Sequence, residues 1–381
     1  LQKNNTVAIR ATNATDGWGG MIAKLEVHYT DGTKDTIVTD SGWKVSKTEE
    51  AGWTGVGYDD TSWKNADQQI PFGDEPWKTG ISLEEDETRA AVMLRKEFDL
   101  EKPVSEAFAY VCGLGFFEMS VNGQRTDDSV LNPFNTQYDQ ASLYCAYDVT
   151  SLLKQGGNAL GVELGNSYYN EIGGVWNWST ASWRDNPKLL MQLEIRYADG
   201  TSETIVSDES WKMTREGPIT ANSMYYGDVY DARLEMPGWT EPGFDESAWK
   251  GAQLMEAPGG KLRNQMKAPA KRVAALEPES IVKLGEGSYR IESPEMVSGW
   301  IKLKNINQKA GDTIKITYGQ RLDTDGSVME YGGGDGEIGN WWPHAYLQQD
   351  IYTSAGGKNE SYEPKFSFKG FEYAQVDGFS G

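Results

Sequence analysis

A chain of 381 residues with 57 Asp and Glu against 36 Lys and Arg carries a formal net charge of −21. That balance excludes nucleic acid and anionic membrane surfaces as partners, because phosphate binding needs clustered Lys and Arg. Two Cys and two His also exclude a disulfide-built scaffold, a multi-cysteine metal site and a His-rich zinc centre.

The length predicts two or three domains. With 14 Trp, 19 Tyr and 43 Gly spread among short alternating runs, stacked β-sandwiches are expected. No apolar run approaches the roughly 20 residues that span a bilayer. The chain opens on Leu1 without a signal-like segment and reads as a trimmed product, so its start does not report where the parent protein resides.

The first strong pattern is KLEVHYTDGTKDTIVTDSGWKV, from Lys24 to Val45. Apolar and polar residues alternate, turn at Asp31-Gly32 and alternate again, which predicts a β-hairpin closed by Trp43. The pattern returns as QLEIRYADGTSETIVSDESWKM, from Gln192 to Met213, and 12 of the 22 positions are identical. AIRATN (Ala8 to Asn13) echoes GVELGN (Gly161 to Asn166), and YDDTSWKNA (Tyr58 to Ala66) echoes FDESAWKGA (Phe244 to Ala252). One scaffold therefore occurs twice. The second copy has a leader from about Leu94 that the first lacks, so residues 1–92 are expected to be a partial sandwich, or one completed by further residues.

Two insertions distinguish the second copy. Asn13 to Lys24 is 11 positions and Asn166 to Gln192 is 26; Trp43 to Trp63 is 20 and Trp211 to Trp249 is 38. Loops added to a rigid β scaffold are where binding is expected. The first insertion, NSYYNEIGGVWNWSTASWRDNP, holds Asn166, Tyr168, Tyr169, Trp176, Trp178 and Trp183 outside any strand alternation. Flat aromatic rings suit the apolar C–H face of a pyranose, and the adjacent Asp185 and Asn186 suit its hydroxyls. Packing of the same aromatics between domains is the competing reading. The second insertion carries Asp228, Asp231 and Arg233, which predicts either a ligand-facing Asp228 or a buried Asp–Arg pair at the loop base.

A Pro- and Ala-containing connector near Ala268 to Glu279 precedes WIKLKNI, DTIKITYGQRL, QQDIYTS and PKFSFKGFEYAQVDGF, all of period two, which predict a further sandwich. No sustained helical periodicity occurs anywhere. DTDG, from Asp323, lacks the third acid of a calcium loop and reads as a turn. GGGDG, from Gly332, lacks the Lys-Ser/Thr pair of a phosphate cradle. Asn340 to His344 (NWWPH) either caps a cleft or packs at a domain interface. Cys112 and Cys145 read as separate buried thiols, with pairing as the alternative. No acid stands in a recognisable catalytic motif.

GLGFFEMSVNG, LNPFNTQYD, YDVTSLL and GNALGVELGN, between Tyr110 and Tyr169, stand in an order that resembles the N-terminal domain of bacterial α-L-rhamnosidases of glycoside hydrolase family 78. GPITANSMYYGDVYDAR (Gly217 to Arg233) is similar to that family's glycine-acid-x-YDAR segment. VSGWIKLKN, AGDTIKITYGQRLDTDG and YEPKFSFKGFEYAQVDGFSG are similar to its concanavalin-like sandwich. IESPEMVSGW departs from the family's F-G-Q-N-like turn, and Lys369 stands where the family's F-x-F-H-G-F has His.

The resemblance implies an all-β chain: a partial galactose-binding-like jelly roll (1–92), a complete one (93–270) and a concanavalin-like β-sandwich (271–381). It implies the non-catalytic, carbohydrate-binding portion of an exported, inverting α-L-rhamnosidase, with a rhamnose-containing glycan as ligand. The general acid and base of the family lie on an (α/α)6 barrel after the VDGFSG-like strand, where this chain ends, so no catalytic residue transfers. That barrel is the implied partner. In rhamnose-binding modules similar to the second copy, an Asp-Asn pair contacts sugar with calcium nearby, which singles out Asp185 and Asn186 and makes Ca the one cofactor in view. A purely structural scaffold for the barrel and a stand-alone lectin-like protein are the rival readings.

Overall fold

The computed structural model describes residues 5–11, 21, 23–29, 34–67, 89–171, 181–329 and 348–380. Among them the only helical segments are two 3-10 turns, Thr150–Leu152 and Ala232–Leu234. The chain divides into two compact units, Leu1–Glu87 and Thr88–Gly381.

In the first unit, β1 (Lys24–His28) and β2 (Lys34–Val38) form an antiparallel hairpin, and β3 (Lys44–Val45) pairs with β4 (Lys64–Asn65). The second unit continues with β5 (Val92–Leu100), β6 (Val104–Leu114), β7 (Phe117–Val121), β8 (Gln124–Arg125), β9 (Ser129–Val130), β10 (Ala141–Asp148) and β11 (Gly156–Leu164). Next come β12 (Lys188–Tyr197), β13 (Ser202–Val206), β14 (Lys212–Thr214), β15 (Ile219–Ser223), β16 (Gly227–Asp231), β17 (Lys250–Gly251), β18 (Lys261–Asn264) and β19 (Ala270–Lys271). The last are β20 (Ser280–Gly285), β21 (Ser288–Gly299), β22 (Leu303–Ile306), β23 (Thr313–Gly319), β24 (Gln349–Thr353), β25 (Glu360–Tyr362) and β26 (Lys369–Asp377).

A five-stranded sheet (β13-β12-β6-β10-β18) and a six-stranded sheet (β17-β14-β5-β11-β7-β8) build the jelly roll. Period-two alternation turns Ala107, Ala109 and Val111 of β6, Leu193 and Ile195 of β12, and Leu160, Val162 and Leu164 of β11 into one core, with Trp211 among them.

The repeat read from the sequence is reproduced bond for bond. Trp43 Nε1 donates to the Val38 carbonyl at 2.8 Å, and Trp211 Nε1 to that of Val206 at 2.9 Å. The Ala66 N–H reaches the Trp43 carbonyl at 2.7 Å, as the Ala252 N–H reaches that of Trp211 at 2.9 Å. Trp53 and Trp63 tilt by 31° at 6.1 Å, while Trp239 and Trp249 tilt by 32° at 6.0 Å. These matches confine the extra residues of the second insertion to the stretch between Met213 and Met236, counterparts of Val45 and Glu50.

That insertion leaves its own sandwich. β15 and β16 form a hairpin that joins the sheet of the following domain, in the order β15-β16-β24-β23-β26-β21-β20, with β16 parallel to β24. Ile314, Ile316, Tyr318, Tyr352, Phe371, Ala374 and Val376 form the core of this concanavalin-like sandwich, with Leu303 and Tyr362 of β22 and β25. Two sandwiches thereby share one sheet, and both fall within one compact unit.

Candidate functional site

The first insertion follows the C-terminal end of β11, an interior strand between β5 and β7, and its base is fixed by buried polar groups. Asn166 is fully buried; its Nδ2 donates to the carbonyls of Arg89 (2.8 Å) and Asn222 (3.0 Å). Asn170 Nδ2 donates back to Asn166 Oδ1 at 2.8 Å. Glu171, also fully buried, accepts from Ser223 Oγ (2.9 Å) and the Met224 N–H (3.0 Å), and Arg89 lies 3.4 Å from it. Arg184 Nε donates to the Glu171 carbonyl at 3.0 Å, which ties the two ends of the insertion together. Asn166 therefore serves the loop base. Trp176 and Trp178 lie outside the described residues.

Beside this base, three aromatic rings converge. Trp183 meets Tyr138 edge-on at 4.8 Å and stacks on Tyr169 at 6.2 Å and 17°, while Tyr138 meets Tyr169 at 5.1 Å. Tyr138 and Tyr169 are buried and Trp183 is half-buried. Burial raises the phenol pKa of Tyr169, and the nearby Asp185 carboxylate raises it further. The Tyr169 hydroxyl has no hydrogen-bond partner among the described residues. Asp185 and Asn186 are half-buried and already engaged, Asp185 with Lys188 Nζ at 2.6 Å and Asn186 Oδ1 with Arg215 Nη2 at 3.0 Å. Lys188, Asp185, Asn186 and Arg215 thus form a polar chain, with the Asp185 carboxylate near the Tyr169 phenol.

Among the described residues no group of three or more His, Cys, Asp or Glu converges as a metal site. With Asp185 engaged by Lys188, the described side chains do not build the calcium cage that the resemblance implied.

The remaining candidates lie elsewhere. Tyr168 packs edge-on against Phe116 at 6.4 Å, in a small cluster with Ala91, Ile219, Met224 and Phe366. Asp228 is 1% exposed, and its Oδ2 accepts the N–H groups of Lys365 (2.8 Å) and Phe366 (3.1 Å). Its own N–H donates to Asp350 Oδ1 at 2.9 Å. In this arrangement Asp228 faces the joint between two sandwiches and not solvent. The Asp–Arg pair of the same insertion forms between Asp231 and Arg233, at 2.6 Å, with Arg233 largely exposed. Lys369, at the position where the family has His, is buried on Asp350 and on Ser367 Oγ (2.8 Å).

Tyr138, Arg215 and Glu171 were not singled out from the sequence. Tyr138 sits inside LNPFNTQYD, 31 positions before Tyr169, and no local pattern reports that their rings meet.

Comparison with known proteins agrees with this architecture. Residues 102–274 match the α-L-rhamnosidase N-terminal domain, and residues 283–381 match the bacterial α-L-rhamnosidase concanavalin-like domain. An α-L-rhamnosidase of Streptomyces avermitilis is 34% identical over 389 residues, covering 99% of this chain and 35% of the relative. The crystal structure of Streptomyces avermitilis α-L-rhamnosidase complexed with L-rhamnose superposes with a TM-score of 0.75 at 32% identity, covering 94% of this chain and 33% of that one. The α-L-rhamnosidase of Dictyoglumus thermophilum gives 0.69 at 37% identity, over 77% of this chain and 31% of that one. The chain thus spans about a third of the length of these relatives. It belongs to the glycoside hydrolase family 78 α-L-rhamnosidases, of which it carries the N-terminal and concanavalin-like β-sandwich domains.

Proposed function

We propose that the jelly roll binds a terminal α-L-rhamnosyl residue on behalf of an exported, inverting α-L-rhamnosidase, and that this chain shapes substrate without cleaving it. One observation carries the reading: the Tyr138, Tyr169 and Trp183 rings meet beside Asp185, Asn186 and Arg215 at the mouth of an insertion absent from the first copy. The similar Streptomyces avermitilis structure complexed with L-rhamnose supports the choice of sugar. Titration calorimetry of the chain with L-rhamnose is the test. Heat at millimolar sugar, weakened roughly tenfold to a hundredfold by Asp185→Ala, is expected, since a charge-assisted hydrogen bond is worth about 1.5–3 kcal/mol. Absence of heat at millimolar sugar overturns it.

The β15–β16 hairpin favours a second role, as rigid scaffold. It locks two sandwiches into one body against which a further domain can be oriented. The roles are compatible, but only the first requires a response to sugar.

A further inference from the structure

Two insertions distinguish the second copy of the repeat from the first, and the fold brings them into contact with each other. The first follows β11; the second carries the β15–β16 hairpin, whose turn runs from Ser223 to Gly227. Glu171, in the first, is fully buried and accepts both the Ser223 hydroxyl and the Met224 N–H on one carboxylate oxygen, Oε2. A second bridge runs from the Asn166 N–H to Asn222 Oδ1 at 2.7 Å. Asn222, Ser223 and Met224 are all buried, and hydrogen bonds shielded from water in this way are strengthened.

The turn passes the contact on to the next sandwich. Ser223 Oγ accepts the N–H groups of Tyr225 (3.1 Å) and Tyr226 (3.2 Å), which sets the shape of the turn. The Tyr226 carbonyl in turn accepts from the Gln349 N–H of β24 at 3.1 Å. Gly227 follows at a φ of 99°, and a Cβ there would overlap the Gln349 carbonyl oxygen. The turn therefore lies directly on the backbone of the concanavalin-like sheet.

Glu171 also faces the other way. Its carbonyl accepts from Arg184 Nε at 3.0 Å, and Arg184 stands in the chain between Trp183 of the ring trio and Asp185. One residue thus holds the hairpin turn by its side chain and the flank of the ring trio by its main chain. Close-packed interiors transmit small shifts of this kind instead of absorbing them.

On the reading of the ring trio as a sugar site, we propose that Glu171 is a positioning residue that couples this site to the joint between the sandwiches. Sugar held at the trio tightens the hairpin turn, and a loosened turn weakens the sugar. Such coupling is reciprocal, so it is measurable from either end.

Titration calorimetry and hydrogen exchange on the 381-residue chain, with L-rhamnose as the probe, test the coupling. Ser223→Ala removes the hydroxyl that meets Glu171 and no atom of Tyr138, Tyr169, Trp183, Asp185, Asn186 or Arg215. It should weaken L-rhamnose roughly threefold to thirtyfold. In the wild type, saturating sugar should slow exchange at the Met224 and Gln349 amides at least about threefold more than at Leu193, a core amide that reports only global stabilisation by ligand. No heat from the wild type overturns the sugar site, and the coupling with it. Wild-type heat with unchanged affinity in a folded Ser223→Ala, or without excess slowing at both amides, overturns the coupling alone. The exchange comparison uses the unaltered chain, so it decides the matter where Ser223→Ala fails to fold.

Discussion

The carboxylate of Asp228, on a hairpin inserted into the jelly roll, accepts the backbone N–H of Phe366 in the concanavalin-like sandwich at 3.1 Å. It also accepts that of Lys365, while Asp350 of the receiving sheet takes the N–H of Asp228 in return. Lys369 and the Tyr318 hydroxyl (2.7 Å) hold the Asp350 carboxylate from the other side. The joint between the sandwiches is thus a buried polar network in which Asp228 Oδ2 is doubly bonded while Oδ1 has no partner among the described residues, and such networks are costly to disrupt further.

Asp228→Ala should therefore destabilise the second unit by about 2–5 kcal/mol, because two buried N–H groups lose their acceptor. Asp228→Asn, which keeps an acceptor oxygen, should cost much less. Urea denaturation read at equilibrium separates the two, and equal stability of wild type and Asp228→Ala would refute the role.

The same residue predicts a pH dependence. Burial, opposed by Lys369 and reinforced by Asp350, raises the Asp228 pKa above its ordinary value. A raised folded-state pKa gives stability that is complete below the unfolded value, about 3.9, and is lost as pH rises through the folded value. Relative to Asp228→Asn, the wild type should lose stability as pH rises over that window. Parallel stability–pH curves for the two proteins would contradict this.

Gly165 tests the fit of the joint by shape alone. A Cβ there would lie 2.4 Å from Cγ of Phe366, a ring that is 1% exposed. Overpacking of this kind costs about 1–3 kcal/mol. Gly165→Ala should lower the thermal midpoint and speed amide exchange around Phe366, an effect that Phe366→Leu in the same chain should partly reverse.

Trp183→Ala should lower both sugar affinity and stability, since its ring packs on Tyr138 and Tyr169 as well as facing the site. Asp185→Ala should lower affinity alone. Its pair with Lys188 is partly exposed, and exposed ion pairs contribute about 0–1 kcal/mol. Thermal melts beside the calorimetry distinguish the two variants, and unfolding of Asp185→Ala would make Asp185 a structural residue.

Both thiols should be silent in the native state. Burial pushes the Cys112 pKa up to about 12, with Cys145 adding to it, and burial pushes that of Cys145 up to about 11. Neither is in a disulfide. A thiol reagent at pH 8 should label two groups per chain only after denaturation; rapid native labelling would contradict the burial.

What could be read from the sequence alone was what depends on neighbours in the chain. Alternation of period two, an Asp-Gly turn and a closing Trp specify each hairpin locally. Lys24↔Val38 and Gln192↔Val206 accordingly pair as the repeat predicts. The family's motifs were legible for the same reason, being contiguous. The tertiary structure decided where the insertions go. Nothing near Asp228 announces that its partners are Lys365 and Phe366, 137 and 138 positions away. Gly217 to Arg233 reads as a loop on one sandwich, yet it becomes two strands of the next because the edge of β24 is open there and unpaired N–H and C=O groups at a buried edge must find partners. The aromatic trio likewise unites Tyr138 with Tyr169 and Trp183 only through the packing of the connecting loops, and side-chain convergence between separate loops leaves no periodic trace in the chain.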